Sequence, residues 1–125
     1  MFKKKVPAEV IAAALFKYLE GKSNIEQVEV ERILYANMSE PDKTNMRLEL
    51  KLLEVFAIDY DTYVVLGDTP KKDAVLEAFY AFLWRESERI FGYPPSVIFP
   101  KIKDRLSEYT KAFKTPHKLG PFFID

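Results

Sequence analysis

A chain of 125 residues that is 48% hydrophobic and 30% charged has the material for one packed domain and lacks the low-hydrophobicity signature of disorder. Nineteen basic residues cancel nineteen acidic ones, so no overall field draws it to nucleic acid or an anionic membrane. The absence of cysteine excludes disulfides, thiolate nucleophiles and Cys-based metal sites, and suits a reducing cytoplasm.

Lys3, Lys4 and Lys5 followed by Val10 to Phe16 resemble the head of a signal peptide, but Pro7 and Glu9 interrupt the transition and no small-residue cleavage site follows. The segment reads instead as a first helix, opened by Pro7 and closed by Gly21. Ile11, Ala14, Leu15, Tyr18 and Leu19 form its apolar face, with Glu9, Lys17 and Glu20 opposite. Ser23 and Glu26 make a capping box for a second helix over 24–36, whose apolar residues Ile25, Val28, Val30, Ile33 and Leu34 do not share one face.

The third predicted helix runs from Pro41 to Gly67, with Ser39 as its N-cap. Met46, Leu50, Leu53, Ala57, Tyr60 and Val64 alternate steps of four and three, the seam along which antiparallel helices pack, and Leu52, Phe56 and Tyr63 widen it. Leu48, Val55, Ile58 and Leu66 then fall on the outer side. A β reading of Arg47 to Leu52 fails because the alternation stops at Leu53 and no hairpin turn interrupts the run.

Pro70 and Gly92 bracket a fourth helix in which Ala78 to Trp84 is apolar around the whole circumference. Such a helix is either the bundle's centre or a contact with another subunit. This longest apolar run is far below the roughly 18 residues a membrane span needs. Pro100 opens a fifth helix with a stripe of Ile102, Leu106, Tyr109 and Phe113. Residues 115–125 carry breakers without periodicity and form an irregular tail, whose Phe122, Phe123 and Ile124 dock on their own domain or, alternatively, on a partner chain. The expected fold is an all-α, single-domain bundle of about five helices.

Chemistry is sparse in this pattern. The lone histidine, His117, cannot supply the paired Glu-x-x-His motifs of a di-metal bundle, and no Gly-x-Ser-x-Gly elbow exists to partner it. Gly21, Gly67, Gly92 and Gly120 are too far apart for a phosphate loop. Glu49 and Asp59 lie about 15 Å apart along a helix, too far for a catalytic dyad, and are expected to pair with a Lys or Arg of a neighbouring helix or reach solvent. Glu26, Glu29 and Glu31 read as a solvated acidic face that also makes the first two helices a poor helix-turn-helix.

Phe79, Phe82, Trp84, Phe91, Tyr93 and Phe99 read first as core filling; as a pocket for a flat apolar ligand they would use Tyr80, Tyr93 and the Trp84 indole as polar handles. Lys103, Lys111 and Lys114 line one side of the last helix and are the candidate contacts for an anion. No metal or cofactor is expected. The function that follows is non-enzymatic: self-association as a two-fold homodimer, or another protein contact, through a surface including Trp84 and Leu66. Binding of a small apolar or aromatic ligand, or an enzymatic activity, in a pocket near Trp84 is the alternative.

Overall fold

A computed structural model describes residues 6–34 and 37–115, without the side chains of 21–31 and 34. Among the described residues there are five helices and no strand: α1 (Ala8–Leu34), α2 (Glu40–Leu66), α3 (Pro70–Arg85), α4 (Ser87–Phe91) and α5 (Pro95–Ala112). The tail with Phe122, Phe123 and Ile124, and His117 within it, lies outside them, as do the side chains of Glu26, Glu29 and Glu31.

The helix boundaries show which local signals prevail. Ser39 caps α2 as expected, its Oγ accepting the Asp42 N–H at 3.3 Å, and Thr69 Oγ1 does the same for α3 by accepting the Lys72 N–H at 3.2 Å. Gly67 (φ +69°, ψ −169°) and Gly92 (φ +81°) end helices in backbone conformations that favour glycine. Gly21, by contrast, lies inside α1, which makes one helix of the two predicted from the sequence. A glycine costs only about 1 kcal/mol in a helix interior, and without a following proline it does not stop the chain.

The predicted helix between Pro70 and Gly92 is divided at Glu86 (φ −104°, ψ 16°), after which α4 makes a single short turn held by the buried Ser87, whose Oγ donates to the Tyr93 carbonyl at 2.8 Å. The last helix begins at Pro95, five residues before the predicted start, and Pro100 sits within it. Pro100, which cannot donate to the Ser96 carbonyl one turn earlier, is exposed, as is Ser96.

One buried cluster draws on all five helices: Ala12, Phe16 and Leu19 from α1; Leu52, Val55, Phe56 and Ile58 from α2; Leu76, Phe79, Tyr80 and Leu83 from α3; Phe91 from α4; and Ile98, Phe99, Ile102 and Leu106 from α5. α1 packs chiefly on α3, while α2 packs on α5 and α3. The face of α1 that is buried is rotated from the predicted one, leaving Ala14 and Tyr18 exposed. In α2 the correction is larger. Val55 and Ile58, expected outside, are core residues, and Leu48 is partly buried against the core. The buried arc centres on Leu52, Val55, Phe56, Ile58, Asp59 and Thr62, opposite the predicted seam. Because α2 is apolar on both sides, its periodicity alone does not choose which side faces the core.

Candidate functional site

The predicted seam therefore becomes a surface feature. Met46, Leu53 and Val64 are exposed at 37%, 37% and 59% of their areas, Ala57 is exposed, and Leu50 and Tyr60 are half-buried. At 1.5 Å per residue this stripe runs about 27 Å along α2, turned away from the core except at Tyr60, which packs partly against it. Its spacing of four and three is the 3.5-residue repeat of a helix that packs against another helix.

Each side of the stripe has its own character. On the side toward α5, Phe56 stacks on Tyr60 at 6.2 Å and on Phe113 at 5.8 Å, and Tyr109 closes the group at 5.4 Å from Phe56. Further along, Glu49 accepts two hydrogen bonds from Arg105, Nε to Oε2 and Nη2 to Oε1, both at 2.8 Å. The bond from Arg105 holds the Glu49 carboxyl below its usual range despite some opposing desolvation. On the other side lie Arg47, Glu54 and Asp61, with Lys51 Nζ 3.5 Å from Glu54 Oε2. A small cleft of about 80 Å³ between Tyr18, Leu19, Glu54, Ala57, Ile58 and Asp61 joins this edge to α1.

The residues singled out as a ligand or interface set do not converge. Tyr80 is wholly buried: its hydroxyl donates to Asp59 Oδ2 at 2.5 Å, and its ring meets Phe79 and Phe99 edge-on. Burial, then the Asp59 charge and bond, push the phenol well above its ordinary value. Asp59, expected to meet a cation or solvent, is thus bonded to a phenol within the core. Trp84 is 48% exposed and lies edge-on against Phe99 at 4.9 Å. Leu66 is half-buried beside the start of α3, while Trp84 lies near its far end, about 20 Å along the axis, so the two do not share a patch. Tyr93 lines a separate cleft of about 200 Å³ with Thr44, Arg47, Leu48, Lys51, Ile90 and Phe91.

On α5, Lys103 is half-buried and Lys111 exposed, with Asp104 and Glu108 breaking up the positive charge, whereas Lys114, expected on the same helix, lies past its end at Ala112 with φ +53°. No group of three or more His, Asp or Glu among the described residues is placed to hold a metal ion, and none of the described helices is long and apolar enough to cross a membrane. Sequence reasoning found the stripe and missed its exposure, because an apolar seam reads as interior until the neighbours of the helix are known. Comparison with protein-family models, with curated proteins and with solved structures finds no match to this chain.

Proposed function

We propose that this chain is a helical protein-interaction domain that docks a partner helix along the outer face of α2. The observation that supports this is the stripe Met46, Leu50, Leu53, Ala57, Tyr60 and Val64, which combines an uninterrupted 3.5-residue repeat with exposure of Met46, Leu53, Ala57 and Val64 and partial exposure of Leu50 and Tyr60. An exposed apolar residue on its own calls for no explanation, but four exposed and two half-buried ones at helix-packing intervals form a continuous surface that excludes water once a second helix covers it. The ligand reading has less behind it, since Tyr80 is enclosed and the Trp84 indole is backed by Phe99. A cytoplasmic setting fits the cysteine-free composition and is part of the proposal.

A docking face differs from a core face in what its loss does to folding. The paired substitution Ala57→Glu and Val64→Glu is expected to keep helix content by circular dichroism and to change unfolding free energy by no more than about 0.5 kcal/mol, as surface changes do. The same variant should lose association with any helix that the unmodified protein binds. A loss of several kcal/mol would place these side chains in the core and overturn the reading.

A further inference from the structure

Resting on that reading of α2, we infer that the occupant of the stripe is a second copy of this chain, with the two α2 helices antiparallel about a two-fold axis level with residue 55. In heptad terms Met46, Leu53 and Tyr60 are d positions, and Leu50, Ala57 and Val64 are a positions. Antiparallel pairing sets a against d in every layer: Met46 against Val64 of the partner subunit, Leu50 against Tyr60 of the partner subunit, and Leu53 against Ala57 of the partner subunit. The central layers pair a larger side chain with a smaller one, Leu53 with Ala57, and the outer layers bring Tyr60 over Leu50 and Met46 over Val64.

The charged edge selects this direction. The e positions that follow each d are Arg47, Glu54 and Asp61, positive toward the N-terminal end of the stripe and negative toward the other. Two-fold reversal brings Arg47 opposite Asp61 of the partner subunit and Asp61 opposite Arg47 of the partner subunit, two attractions created by one contact pattern. The same reversal sets Glu54 against Glu54 of the partner subunit at the axis, one like-charge contact, which Lys51 of its own chain, 3.5 Å from that carboxylate, offsets. Parallel pairing would instead set Glu49, already held by Arg105, against Glu54 of the partner subunit on both edges, two like-charge contacts where the antiparallel arrangement has one.

Size sets the strength. A strip about 27 Å long and about 11 Å wide gives a footprint of roughly 300 Å² per copy, about 600 Å² in all, well below the roughly 1,200 Å² at which stable specific interfaces begin and in the range of weak, transient contacts. The dimer is therefore dissociable and concentration-dependent, unlike an obligate one.

A chain with no cysteine allows the geometry to be tested without background. Met46→Cys mixed with Val64→Cys under mild oxidation should give a disulfide-linked dimer, because residues 46 and 64 meet across the axis. Each variant alone should not, because like positions lie about 27 Å apart. Charge reversal supplies a second arm. Arg47→Glu and Asp61→Arg should each weaken self-association about fivefold to tenfold, and the two mixed should form a heterodimer that recovers the original strength. Rapid linkage of Met46→Cys to itself would overturn the antiparallel direction, and a light-scattering mass fixed at 14.6 kDa from about 10 μM to 1 mM would overturn the second copy as occupant. Thiol labelling of monomeric Met46→Cys and Val64→Cys then separates the failures. Fast labelling leaves the docking face intact and removes only its proposed occupant, whereas protected thiols would show the face covered within the chain and remove both.

Discussion

Replacing Tyr80 by Phe removes one oxygen from the centre of the bundle and nothing from its apolar packing. That oxygen donates a 2.5 Å hydrogen bond to Asp59, and both residues have 0% exposure, so water does not take its place. A hydrogen bond onto a carboxylate contributes about 1.5–3 kcal/mol, and its removal from a buried acceptor leans to the upper part of that range. For a chain of this size each kcal/mol shifts the midpoint by roughly 3–5 °C, so Tyr80→Phe should melt about 6–12 °C lower. Urea unfolding followed by circular dichroism, with Asp59→Ala and the double variant, gives the pairwise energy, expected near 1.5 kcal/mol or more. Additivity within about 0.5 kcal/mol would refute the contact. The pH dependence offers a separate signature. Tyr80's phenol titrates well above its usual value when folded, whereas the unfolded chain releases that proton near pH 10. Its contribution is complete below about pH 10 and declines as the pH rises, by at most about 1.4 kcal/mol per unit, and Tyr80→Phe should lack that share of the decline.

Three further outcomes follow from positions described above. Gly21→Ala should stabilise the protein by about 0.5–1 kcal/mol, since the residue is inside a helix; a loss in thermal unfolding would place a turn there instead. Glu49→Gln should cost no more than about 1 kcal/mol because the Arg105 pair is partly solvated. With its pKa lowered in the folded state, Glu49 stabilises above the unfolded glutamate value near 4.3 and loses this as the pH falls through its folded value, so the variant's acid limb should be flatter. Leu83→Ala, wholly buried, should cost about 3 kcal/mol or more and Trp84→Ala, half exposed, clearly less; equal costs would contradict the described burial.

How much of this was legible in advance depended on whether a signal was local. Ser39, Pro70, Gly67 and Gly92 act through their own backbone, and they mark helix ends as they stand in the sequence. Gly21 carries the same residue type without the same outcome, because the cost of glycine in a helix is small against the packing of Phe16 and Leu19 in the core. The Glu49 partner was foreseeable as a cation on a neighbouring helix. The Tyr80 partner of Asp59 was not, since phenols and carboxylates give no periodic signal that joins α2 to α3. For α2 the obstacle was symmetry: with apolar residues on two sides, only the positions of α3 and α5 decide which is inside, and those depend on the whole chain.

The pairing of α1 with α3 and of α2 with α5 bears on how the chain reaches this state. In an up-and-down bundle each new helix packs on the one just made, and closure proceeds through short loops. Here α1 waits while α2 is synthesised before its main neighbour exists, and α2, although it meets α3 as soon as that helix forms, waits through α4 for α5. The entropy of closing those intervals is spent before the interior is sealed, which slows folding relative to bundles with only local contacts. On a ribosome adding roughly 5–20 residues per second, the cavity that Ile98, Phe99, Ile102 and Leu106 fill stays open for several seconds after α1 has emerged. During that interval the nascent chain exposes α2 on both of its apolar sides at once, and it is then that an unintended neighbour is most easily acquired.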